Sequence, residues 1–77
     1  MLKYQKYKGY IGRDENGMLN LFLNDKPWKT ESEIIGQSEW TNETWDGMSI
    51  TDNGTFQDVK WEDEEPTQVI ITIEKIN

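Results

Sequence analysis

A small, mainly β domain, built as an antiparallel sheet or open barrel of four or five strands with at most one short helix, is the fold the sequence predicts. Three observations lead there. Leu19, Leu21 and Leu23 alternate with polar or aromatic neighbours, the two-residue period of a strand with one buried face. Thr67 to Ile76 reads Thr-Gln-Val-Ile-Ile-Thr-Ile-Glu-Lys-Ile, a β-branched run that sets Val69, Ile71 and Ile73 on one face. No stretch carries a long helical period, which leaves a small antiparallel sheet or open barrel as the way to bury the apolar residues.

The first element is a hairpin. Tyr7 to Asp14 is rich in strand formers, Met18 to Leu23 forms the returning strand, and Asn16-Gly17 between them suits the positive φ angles of a tight turn. On the first strand Tyr7, Gly9, Ile11 and Arg13 share one face, while Lys8, Tyr10 and Gly12 share the other. Gly9 and Gly12 point to a bulge or to close approach of another backbone. Asn24 to Pro27 breaks the strand. Thr30 and Glu33 have capping-box spacing, so Thr30–Gln37 is expected as a helical turn or a loop. Ser38 to Gly47 is polar with Trp40 and Trp45 embedded, and Met48–Ile50 is a short strand candidate. Asp52-Asn53-Gly54 is a turn, Thr55–Trp61 a further strand or edge segment, and Glu62–Pro66 an acidic loop before the closing strand.

The 77 residues suffice for one domain with a thin core, because a chain of this size buries only about 60–65% of its unfolded surface. With no cysteine and no histidine, disulfides, thiolate chemistry and Cys/His zinc sites are excluded. Self-association is the staple that remains, so a homo-oligomer is expected. The same absences remove Ser–His and Cys–His catalysis and the usual neutral-pH base. A carboxylate pair in a water-excluding cleft is hard to hold in so small a domain, so no enzyme, cofactor or metal site is expected. No apolar run approaches the ~18 residues of a membrane span, and no leader pattern is present. The expected location is the cytoplasm, which makes the triplets Asn42–Thr44 and Asn53–Thr55 chance matches to the glycosylation pattern.

Charge is the most informative feature. Between Lys3 and Asp14 lie four cations and three tyrosines. Residues 1–30 hold six cations against three acids, a net of +3, and residues 31–77 hold two against twelve, a net of −10. A phosphate needs cationic donors and a nucleobase needs a ring to stack upon. Lys6, Tyr7, Lys8, Tyr10, Arg13 and Trp28 are therefore the candidate ligand-binding residues, with Arg13, the only arginine, able to grip a phosphate bidentately. The plainer reading is an edge strand whose lysines discourage aggregation and whose tyrosines cap the core. Trp61, beside Val59, reads as core. Trp40 and Trp45, in polar sequence, are candidates for an oligomer interface or a stacking surface. Glu62–Glu65 reads first as a solvated loop, second as a mimic of nucleic-acid phosphates. Asp14–Gly17 and Asp52–Gly54 lack the remaining ligands of a calcium loop and are turns.

The block Phe56-Gln-Asp-Val-Lys-Trp-Glu-Asp-Glu-Glu-Pro-Thr-Gln-Val resembles the C-terminal signature of small uncharacterised proteins carried by phages and prophages of gut bacteria. Gly9-Tyr-Ile-Gly-Arg-Asp-Glu-Asn-Gly, Leu19-Asn-Leu-Phe and Lys26-Pro27 look like the N-terminal hairpin of the same group, so about half of the chain is covered. The resemblance implies a small viral product, acting in the cytoplasm of an infected host. Two functions are then expected in order. The first is sequestration of a small anionic signal of host defence, such as a cyclic nucleotide. The second is an acidic, nucleic-acid-mimicking inhibitor bound to a host defence protein. A virion assembly component is the third.

Overall fold

The computed structural model describes residues 3–32 and 37–77 and contains six strands. β1 (Tyr4–Arg13), β2 (Leu19–Phe22), β5 (Met48–Ile50) and β6 (Thr67–Glu74) form an open antiparallel sheet in the order β5-β2-β1-β6. β3 (Trp28–Ser32) and β4 (Gln37–Thr41) form a separate two-stranded sheet. The fold is mainly β, as the sequence predicts. Among the described residues there is no helix, hence none long and apolar enough to cross a membrane.

The β1–β2 turn follows its sequence signal. Gly17 adopts φ 93°, its N–H donates to the Asp14 carbonyl at 2.9 Å, and the Met18 N–H donates to the Asn16 side chain at 2.9 Å. From there Leu19 pairs with Arg13 and Phe22 with Tyr10.

One face of the large sheet carries the core. Ile11, Leu19 and Val59 are buried, with Leu21, Ile50, Phe56 and Val69 packed against them. Val59 and Phe56 belong to the segment expected as a further strand. That segment is a series of turns instead, closed by a Val59 N–H to Phe56 carbonyl bond of 3.0 Å. Its apolar side chains seal the sheet, whose inner face no second sheet covers, so packing outweighs strand propensity here.

The opposite face receives the β3–β4 hairpin, in place of the expected helical turn over Thr30–Gln37. The capping Glu33 lies outside the described residues, but Thr30 to Ser32 and Gln37 to Thr41 are strand, with Thr30 opposite Glu39 and Lys29 opposite Trp40. Cross-strand pairing and the docking of Trp40 override a weak local helical signal. Neither glycine of β1 makes a bulge, since both ladders run without interruption. Close approach is the reason for Gly12: a Cβ there would lie 2.7 Å from the Trp40 ring.

The strands leave one segment weakly supported. Among the described residues, residues 4–9 of β1 pair with β6 alone, because β2 reaches β1 at residues 10–13. The molecule is accordingly long, 50 × 27 × 21 Å, with a two-stranded ribbon at one end.

Candidate functional site: an exposed tryptophan beside an acid-lined cleft

The six candidate ligand residues do not converge. Lys6, Lys8 and Tyr10 share a face of β1 with Tyr4, and the Lys6 ammonium sits 5.6 Å from the Tyr4 ring centroid. Tyr7 projects from the other face, where its hydroxyl donates to Gln5. Trp28 is half exposed in a different region, beside Lys26, Pro27, Glu65 and Pro66.

Arg13 is committed to the fold and is corrected as an anion-gripping residue. Its Nε donates to the Val59 carbonyl at 2.7 Å, Nη1 to Gly17 at 3.0 Å and Nη2 to Phe56 at 3.0 Å, while Nη2 also pairs with Asp52. The Arg13 guanidinium, with the Gly54 and Phe56 N–H groups, holds the Asp52 carboxyl below its ordinary range.

Trp40 is corrected in the same way. It is 4% exposed, so it offers no surface to a partner. Its Nε1 donates to the Arg13 carbonyl at 3.0 Å, its backbone N–H to Asp14 Oδ1 at 2.9 Å, and Trp61 meets its ring edge-on at 6.4 Å. The Lys29 ammonium lies 5.4 Å from the Trp40 ring and 4.7 Å from the Trp61 ring, a shared cation–π contact. A residue in polar sequence is buried here because another strand pair supplies its pocket.

Trp45 is the opposite case. It is 83% exposed and holds a left-handed backbone, φ 52°, which costs a bulky L-residue about 1–2 kcal/mol. The loop enforces that posture. Asn42 is fully buried; its amide donates to the Asp25 carbonyl at 3.1 Å and to the Asp46 carboxylate, and its side-chain oxygen accepts the Asp46 N–H at 3.1 Å. Asn24 donates to the same carboxylate from its backbone at 2.9 Å and its side chain at 2.7 Å. Burial pushes the Asp46 carboxyl upward, but these donors outweigh it and hold the group below its ordinary range. The Trp45 N–H completes the turn on the Asn42 carbonyl at 3.2 Å.

Beneath Trp45 opens a cleft of ≈ 530 Å³ between the two sheets, with Asp14, Asn20, Phe22, Glu39 and Thr41 in its walls. Among the described residues its lining carries two carboxylates and no lysine or arginine. Asp14 is 8% exposed, and desolvation raises its carboxyl above the ordinary range despite hydrogen bonds from the Trp40 N–H and the Asn20 amide. Both of its oxygens are occupied, so it serves as the joint between the sheets. The arrangement provides a rigidly held aromatic surface at the edge of an acidic concavity, suited to a cationic or hydrogen-bonding partner.

Sequence reasoning missed Asp14, Phe22 and Asn42. For Asn42 a signal existed: Asn and Asp four residues apart around Trp45, before Gly47, mark a side-chain-locked loop. No family model matches this chain, and neither a curated protein nor a solved structure does.

Proposed function

We propose that this chain is a non-catalytic binding protein of the phage-encoded type its C-terminal block resembles, and that it inhibits a host defence protein by covering a basic, nucleic-acid-binding surface. One observation carries the reading: Trp45, held out at φ 52° over a cleft whose charged walls, among the described residues, are the acids Asp14 and Glu39. Tryptophan is among the residues enriched at the energetic hot spots of protein interfaces. The net −10 over residues 31–77 supplies long-range attraction to a basic partner. Capture of nucleic-acid-binding proteins from a bacterial host lysate is expected at ~50 mM salt and is expected to fade near 0.5 M, where the screening length falls to about 4–5 Å. Trp45→Ala is expected to weaken capture by about 30-fold or more while leaving the melting temperature unchanged. Undiminished capture by that variant would reject the site.

A second reading, sequestration of a small anionic nucleotide signal, is favoured by Lys6 and Lys8. Neither forms an ion pair among the described residues, and both share a face with the Tyr4 and Tyr10 rings. A depression of ≈ 340 Å³ lined by Lys8, Tyr10, Gln68 and Ile70 adjoins them. Adenine-containing cyclic nucleotides are expected to raise the melting temperature saturably, and Lys6→Ala with Lys8→Ala is expected to abolish the gain. A flat response across a broad nucleotide panel would dismiss this reading.

A further inference from the structure

We infer that the free edge of β6 pairs antiparallel with β6 of a second copy of this chain, joining two four-stranded sheets into one continuous eight-stranded sheet about a two-fold axis beside Ile71. The inference stands apart from both functional readings. β6 closes one side of the sheet order, so the backbone donors and acceptors along its outer edge have no strand partner among the described residues.

Natural edge strands are usually protected by lysine, proline, bulges or brevity. β6 has none of these. Its eight residues contain no lysine and no proline, and its ladder with β1 is uninterrupted from Thr67 to Glu74. The other open edge of the ribbon, residues 4–9 of β1, carries Lys6 and Lys8. The two edges of one ribbon are thus treated oppositely, and the undefended one is the one rich in isoleucine. Ile70 is 67% exposed and Ile73 59%. A two-stranded ribbon is marginal alone in water, and a third and fourth strand supply what it lacks.

Self-pairing selects a second copy over other strands because the edge complements itself. With the axis beside Ile71, Ile71 opposes its own counterpart, Val69 opposes Ile73, Ile70 opposes Thr72, and Gln68 opposes Glu74; like charges never face each other directly. Charge also matches at the ends. The ribbon tip, where the Lys75 N–H donates to the Lys3 carbonyl at 2.8 Å, comes to lie beside the start of the other copy's β6. Immediately before that point the chain carries the acidic run Glu62–Glu65. The axis is isologous, so the contact closes at two copies and does not propagate.

One consequence concerns the lysine face. In an extended sheet the two β1 strands stand three strand spacings apart, about 14 Å, with both sets of Lys6 and Lys8 on the same side. Dimerisation and nucleotide binding fail separately, because mass reads the first and ligand-induced stabilisation the second.

The test is solution mass by light scattering or native mass spectrometry over ~1–100 μM protein. Twice the 9.1 kDa chain mass is expected at the upper concentrations. Ile70→Glu is compatible with the single chain, since Lys8 is its cross-strand neighbour. Across the axis it sets carboxylates of the two copies diagonal to one another and to Glu74, so the mass is expected to halve. Ile73→Lys, opposite Gln5 within the chain, is expected to do the same, with circular dichroism confirming that each variant is folded. A wild-type mass of 9.1 kDa throughout, or a dimer that survives both folded variants, would overturn the pairing.

Discussion

Trp40→Ala is expected to lower stability by about 3–5 kcal/mol, the usual loss for a buried tryptophan. For a domain of this size that corresponds to a fall in melting temperature of roughly 15–30 °C. The ring fills the space over Gly12, where β4 meets β1. Truncating it also removes the Nε1 bond to the Arg13 carbonyl and the partner of the Trp61 edge contact. Lys29 loses one of its two rings. The expected pattern is selective. Hydrogen exchange should accelerate first in Trp28–Ser32 and Gln37–Thr41, while β1 and β2 keep their protection. Thermal melts followed by circular dichroism check the magnitude, with Trp45→Ala as the control. A fall of under 5 °C would mean that the hairpin is held by something other than this indole.

Arg13→Ala is expected to be nearly as damaging, about 3 kcal/mol from the two part-buried bonds to the Val59 and Phe56 carbonyls, each taken at the lower end of the about 1.5–3 kcal/mol that a charged donor contributes. The guanidinium joins two parts of the chain far apart in sequence: the Gly17 turn and the segment that holds Phe56 and Val59. Without it, the carbonyls of Val59 and Phe56 lose their donor, and the segment that seals the core loses its clamp. Arg13→Lys is expected to restore little, because one ammonium on a flexible stem cannot span acceptors arranged for a planar fork. Hydrogen exchange over residues 52–61 is the specific readout. Were that segment to remain protected in Arg13→Ala, the clamp would be redundant.

These two residues also show why sequence composition misdirected the search for a site. An only arginine among tyrosines and a tryptophan in polar sequence both resemble exposed recognition groups. Each is instead consumed by a partner 27 to 46 residues away along the chain: Trp40 by the Arg13 carbonyl, Arg13 by Val59. A thin core has few aliphatic side chains to spend, so long amphipathic ones are recruited to hold loops onto it. Trp45 escapes this use because Asn42 and Asp46 close its loop locally, leaving the ring no interior to enter.

By itself the sequence determined what depends on neighbours in the chain. The two-residue period and the Asn16-Gly17 turn set β1 and β2, the β-branched run set β6, and the lack of Cys and His set the limits on chemistry. Only the tertiary structure decided the second sheet, the burial of Trp40, the commitment of Arg13 and the exposure of Trp45. The reason is physical: periodicity and turn propensity are local quantities, whereas burial is fixed by which distant segment happens to cover a side chain.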